Sequence, residues 1–244
     1  MNLLFLACTS GPAERVDAPL APGAFPHELW GDVLAERVDA EGLIDFSGLA
    51  EDRAGFDAYL AWLATYGPDS HPEAFVGPDH VLAYHLNAYN AFATLGVLQR
   101  PGLASVADVK VRYFYLARFW MGGERINLWD LEHEVVRPLG DPRVHMALNC
   151  MSAGCPRLPR EAFLPARLDA QLDTAAREFV AEEVRSLPDG RYELSAIFSW
   201  FEEDFEPEGL VAFVNAHGGD LPPDAELVFA DYDWTLVAQP GRGP

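Results

Sequence analysis

DPRVHMALNCMSAGCP, Asp141–Pro156, holds two of the chain's three cysteines and one of its seven histidines. Val144, Met146 and Leu148 are apolar at alternate positions, a spacing that predicts a short buried strand. Asn149, Ser152, Ala153 and Gly154 break that pattern and predict a loop. A cysteine where a strand gives way to such a loop is placed to act as a nucleophile, because loop N–H groups come close to the thiol. The same placement suits a disulfide or a metal, so three chemistries start level.

Working outward, Glu132, His133 and Arg137 fall on a helix that Asn127 or Asp130 can cap. Before it, Val109 to Trp120 is rich in aromatic and β-branched residues. Gly122-Gly123 is a hairpin signal leading into Arg125 to Leu128. A long apolar helix is predicted from His80 to Gln99, stopped by Pro101-Gly102. Further upstream, Pro26 to Val38 reads as a short helix. Leu49, Phe56, Leu60 and Leu63 then keep helical spacing as far as Gly67. Downstream, Pro165 opens a helix to about Val184 and Pro188-Asp189-Gly190 makes a turn. Ser195 caps a helix carrying Phe198, Trp200, Phe201 and Phe205, and Glu208 to Ala216 forms another. Leu227 to Ala230 and Trp234 to Val237 read as terminal strands. No repeat or composition break interrupts residues 25–238. The expectation is one mostly helical α+β domain with a small, largely antiparallel sheet. Residues 239–244 are left as a tail.

Half of the 244 residues are hydrophobic, enough for a sizeable core. The formal net charge of −21 repels phosphate backbones and anionic lipid, so neither nucleic acid nor a bare membrane surface is an expected partner. Lys110 is the single lysine. No P-loop, GxGxxG after a strand, GxSxG, HExxH or CxxC occurs, so nucleotide, dinucleotide and serine-hydrolase chemistry lack support.

Residues 1–24 read as a leader and tether. MNLLFLAC is a short apolar run ending in a small residue and then Cys8, the pattern of a bacterial lipoprotein signal without its basic region. On that reading Cys8 carries lipid, and the protein sits in the cell envelope with the lipid as its membrane contact. Cys150 and Cys155 then remain as an even pair, free to form a disulfide in an oxidising compartment.

Five segments together resemble the family known as domain of unknown function 547 (DUF547). They are HLNAYNAF (His85–Phe92), INLWDLEHEVVR (Ile126–Arg137), DPRVHMALNCMSAGCP (Asp141–Pro156), LSAIFSWFEEDF (Leu194–Phe205) and DYDWTL (Asp231–Leu236). The loop between the cysteines is often Gly-led in the family, and Met151 takes that place here. The resemblance supplies no activity.

Among the candidate residues, Cys150 is the expected nucleophile, with His133 or His145 as its base, in the manner of papain-like or transglutaminase-like enzymes. On a regular strand His145 and Cys150 point to opposite faces, which favours His133. Pro156 at a first helical position would leave Cys155 at a helix N-terminus, where the dipole lowers a thiol's pKa. Asn87 and Asn90 share one face of their helix and can hold an oxyanion or brace a loop. Glu132 pairs with Arg137 in the expected arrangement, Trp234 packs in the core, and Asp233 is free to orient a histidine. His133, His145, Cys150 and Cys155 are zinc-ligand types at an unfavourable spacing, so no metal and no cofactor is assigned.

The expected function is a thiol-dependent hydrolase or acyl-transferase acting on an amide or peptide in the cell envelope. Cys150 would attack, His133 or His145 would take the proton, and Asn87 with loop N–H groups would hold the oxyanion. Cys155, Asn90, Glu132 and Arg137 complete the site. The alternatives are a non-catalytic envelope binding module stapled by a Cys150–Cys155 disulfide, and a metal-bearing domain.

Overall fold

The computed structural model describes residues 15–206 and 208–244, so Cys8 lies outside the described residues. Helix α1 (His27–Arg37) packs on α3 (Ala54–Thr65), with the short α2 (Phe46–Glu51) between them in sequence. The single helix expected through Leu49 and Phe56 is thus two, because α2 stops at Asp52. Asp45 caps α2 by accepting from Gly48 N–H at 2.8 Å. Helix α4 (Pro78–Leu98) has Pro78 at its first turn and is buried on nearly every side, as an all-round apolar helix must be. It forms the axis of the larger hydrophobic cluster, with Trp30, Phe56, Tyr59, Phe92 and Tyr113 around it.

Strands β1 (Phe119–Met121) and β2 (Glu124–Ile126) form an antiparallel hairpin. Gly122 (φ 59°) and Gly123 (φ 91°) supply its two left-handed turn residues. The aromatic run before the hairpin is not a strand: Val111–Leu116 is one turn of π-helix. A second π-helix, Leu131–Val136, continues α5 (Leu128–Asp130), whose cap is Asn127 accepting from Asp130 N–H at 2.6 Å.

The segment expected as a strand at Val144–Leu148 is a 3-10 helix, Pro142–Met146. Asp141 accepts from Arg143 N–H at 3.0 Å and Pro142 takes the first helical position, so a cap and a proline outweigh five residues of alternation. No helix follows Pro156: the chain stays irregular to the 3-10 turn Pro165–Arg167, which opens α6 (Leu168–Glu183).

After α6 come β3 (Arg185–Ser186), β4 (Tyr192–Leu194), α7 (Ala196–Trp200), α8 (Leu210–Ala216) and β5 (Leu227–Phe229). β4 lies between antiparallel β3 and parallel β5. Phe179, Phe198, Phe205 and Phe213 form a second cluster around these helices. The fold is therefore mostly helical α+β, with two small and largely antiparallel sheets. Trp234–Val237 is not a sheet strand. It makes single bridges to Ser105 and Ser152, strapping the cysteine loop to the loop after α4. No described helix is long and apolar enough to cross a membrane.

Candidate active site

The cysteine loop is built from below by Asn90. Its side chain donates to Ala147 O at 2.9 Å and accepts from Asn149 N–H at 2.8 Å, tying α4 to the backbone just before Cys150. Asn149 in turn accepts from Met151 N–H at 2.7 Å and donates to Pro156 O at 2.7 Å. Met151 turns the chain with φ 69°, left-handed backbone that costs a residue other than glycine about 1–2 kcal/mol. Burial of the Met151 side chain offsets that cost. From above, Ala153 N–H and Gly154 N–H donate to Thr235 O (2.7 Å) and Asp233 O (2.8 Å).

The turn brings Cys150 Sγ and Cys155 Sγ to 2.9 Å, and both thiols are free. Cys155 Sγ accepts from Cys150 N–H at 2.9 Å and from Tyr232 Oη at 3.0 Å; Ser152 Oγ lies 3.6 Å away. Burial alone would push the Cys155 thiol up, but the donors around it win and bring it down to about 6. Its hydrogen bond to Cys155, reinforced by burial, holds Cys150 well above the usual thiol range, so Cys150 keeps its proton and donates it. Cys155 is thus the ionised member, through side-chain and backbone donors and not through a helix dipole.

The pair faces a pocket of about 280 Å³ where the two hydrophobic clusters meet. Its walls are largely aromatic. Phe114 and Tyr115 come from the first π-helix, Trp129 from α5, and Trp200 and Phe201 from the end of α7. Trp234 packs against the larger cluster and also lines the pocket, with Lys110 Nζ 3.5 Å above its ring. Glu132 and His133 enter from the second π-helix. Glu132 accepts from Tyr89 Oη at 3.1 Å, and burial raises its carboxyl to about 7.

Among the described residues, neither His133 nor His145 is hydrogen-bonded to the thiols as a base would be. His133 stacks on Trp129 at 3.5 Å, with Nδ1 3.2 Å from Trp129 O. Burial lowers its pKa, as it does that of His145, which falls to about 4. His145 Nε2 lies 2.7 Å from Asp204 Oδ2 and its ring stacks on Phe201, while the buried Nδ1 has no partner among the described residues. At about 4, His145 is a poor base at neutral pH.

Arg137 corrects another expectation. It binds Asp204 (2.6 Å from Nε) and Glu203, not Glu132, and so anchors the His145 partner. Asn87 lies away from the pocket. Its amide donates to Phe163 O at 2.8 Å, lies 3.0 Å from His27 Nδ1 and accepts from Phe163 N–H at 2.9 Å, so it cannot hold an oxyanion. The loop N–H groups are also engaged: those of Cys150, Met151, Ala153, Gly154 and Cys155 all have acceptors. Asp233 accepts from Thr235 N–H and, among the described residues, bonds no histidine. Tyr232 was missed by sequence reasoning. The signal was its place in DYDWTL, beside the residues that strap the loop. Gly154 makes room for it, since a Cβ there would lie 2.8 Å from the Tyr232 ring.

Residues 75–180 match the model of the family described as "Protein of unknown function, DUF547". The DUF547 resemblance is thereby shown. The match spans the motifs at His85–Phe92, Ile126–Arg137 and Asp141–Pro156, and with them every candidate residue from Asn87 to Cys155. Tyr232 and Asp204 lie beyond the DUF547 match. Neither the curated proteins nor the solved structures contain a match to this chain.

Proposed function

We propose that the pocket carries out thiol-dependent acyl transfer or hydrolysis, with Cys155 and not Cys150 as nucleophile. The observation behind this reading is the set of donors on Cys155 Sγ at the floor of a pocket. A thiol that is already ionised needs no base, which accounts for histidines that do not touch it. The thiolate attacks a carbonyl carbon, a C–S bond forms, and the C=O electron pair moves onto oxygen. The Tyr232 and Ser152 hydroxyls, 2.8 Å apart beside the sulfur, turn to the new oxyanion as charge leaves sulfur. Collapse expels an amine or alcohol, which takes its proton from Glu132. Water then attacks the thioester, the Glu132 carboxylate takes the water's proton, and the thiolate leaves. A carboxyl near 7 suits both directions of proton transfer. The aromatic walls suit an apolar acyl group or aromatic side chain beside the scissile amide.

A chromogenic nitrophenyl ester tests this. The expected result is a stoichiometric burst with the acyl group on Cys155 in the tryptic peptide 144–157, lost in Cys155→Ala and kept in Cys150→Ala. A burst that survives Cys155→Ala, or an acyl group on Cys150, overturns it. Placement in the cell envelope rests on the Cys8 leader. It predicts membrane-fraction protein that becomes soluble in Cys8→Ser; a wild-type protein found only in the soluble fraction overturns it.

A further inference from the structure

Acyl transfer at Cys155 gives Cys150 no chemical step, yet Cys150 keeps a thiol 2.9 Å from the nucleophile. A second thiol in contact with a reactive one is unnecessary for acyl chemistry and is what a two-electron sulfur couple requires. We propose that Cys155 and Cys150 reduce hydroperoxides, with an apolar organic hydroperoxide as the preferred substrate class. This shares with the acyl-transfer reading the ionised Cys155, the Tyr232 hydroxyl and the aromatic walls, but not Glu132 or an acyl intermediate.

In the first step the Cys155 thiolate attacks the terminal oxygen of R–O–O–H. An S–O bond forms and the O–O bond breaks. Cys155 becomes the sulfenic acid, and the departing R–O⁻ takes a proton to leave as the alcohol. Tyr232 Oη, 3.0 Å from Cys155 Sγ, is the donor in reach of the peroxide. In the second step Cys150 sulfur attacks the sulfenate sulfur. The S–S bond forms, and hydroxide leaves with the Cys150 thiol proton as water. A disulfide needs sulfurs about 2.05 Å apart, so closure requires a shift of under about 1 Å. Both cysteines sit on one turn, so no element has to unfold. A small dithiol then restores the pair by exchange.

Preference for an organic hydroperoxide follows from the walls. Trp129, Trp200, Phe201 and Trp234 line the pocket with apolar aromatic surface that an organic group can cover and hydrogen peroxide cannot use.

The full-length protein is mixed with cumene hydroperoxide or hydrogen peroxide, quenched with iodoacetamide and digested with trypsin. Peptide 144–157 holds Cys150 and Cys155 and excludes Cys8. The expected product is that peptide lacking two hydrogens and unalkylated, formed at least about tenfold faster with cumene hydroperoxide. In Cys150→Ser the reaction stops at a Cys155 sulfenate that dimedone traps. Equal rates with the two peroxides overturn the substrate class. Oxidation of Cys155 to the sulfinic acid while Cys150 remains alkylatable overturns the couple, and the wild-type protein alone can give that result. The ester burst is read without oxidant, so failure of either proposal is seen separately.

Discussion

Replacing Tyr232 by Phe removes one donor from Cys155 Sγ, together with the hydroxyl's contacts to Ser152 Oγ (2.8 Å) and Cys150 Sγ (3.5 Å). The ring keeps its contacts with Trp200 (centroids 4.7 Å) and Trp234 (4.4 Å), which the hydroxyl does not make. A hydrogen bond to a charged group is worth about 1.5–3 kcal/mol, and about 1.36 kcal/mol corresponds to one pH unit. The midpoint for ionising the thiol pair therefore rises by about one to two units, from about 6 to about 7–8. At pH 6 the ionised fraction falls from about a half to about a tenth or below. The assay is the rate of iodoacetamide alkylation of Cys155 against pH, read on peptide 144–157, with circular dichroism to check the fold. Alkylation should stay faster at Cys155 than at Cys150 throughout. A midpoint in Tyr232→Phe within a few tenths of a unit of wild type would refute the account of how the thiolate is held. Gly154→Ala is an independent route to the same shift, because its Cβ displaces the Tyr232 ring.

Burial holds His27, His85 and His145 each at about 4, so between pH 6.5 and 4 the unfolded chain binds up to three protons that the folded chain does not. Glu132, held up at about 7, binds one more proton in the folded state over the same range. Stability present above pH 6.5 is thus lost as pH falls toward 4, by at most about 2.7 kcal/mol per unit. Urea midpoints that stay flat from pH 6.5 to 5 would contradict this. Asn90→Ala strands Ala147 O and Asn149 N–H in the core, which costs about 2–5 kcal/mol and lowers Tm by about 5–15 °C. A calorimetric change under about 2 °C would mean the loop does not depend on α4. Glu132→Gln should abolish the pH 7 limb of acyl-enzyme hydrolysis and slow that step about 10²–10⁴-fold. An unchanged profile would remove Glu132 from the chemistry.

The sequence located the pocket better than it described it. Asp141–Pro156 is the floor of the pocket, and the helix with Glu132 and His133 forms a wall. Hairpin glycines, the Asn127 and Ser195 caps and Pro165 were all legible because each acts within three residues of itself. The strand at Val144 was misread because five alternating residues also fit a tight helix, and the start signal Asp141-Pro142 was the stronger cue. Partners set by long-range packing were not legible. Arg137 finds Asp204 and Glu203 from a distant motif, and Tyr232 reaches Cys155 from the C-terminal strap. Both contacts depend on where separate elements meet, which local spacing does not encode.

The two π-helices carry a consequence for how this pocket can be gained or lost. A π-turn holds one residue more than the α-turn it replaces, and such turns concentrate at functional sites. Val111–Leu116 presents Phe114 and Tyr115, and Leu131–Val136 presents Glu132 and His133. Deleting a single residue from either segment would relax it to ordinary helix and swing those side chains by about 100°. Neighbouring turns and the α4 core could remain in place. Pocket walls and scaffold are thus separated by one codon on each side, so related chains of unequal length here can share the architecture while differing in what the pocket presents.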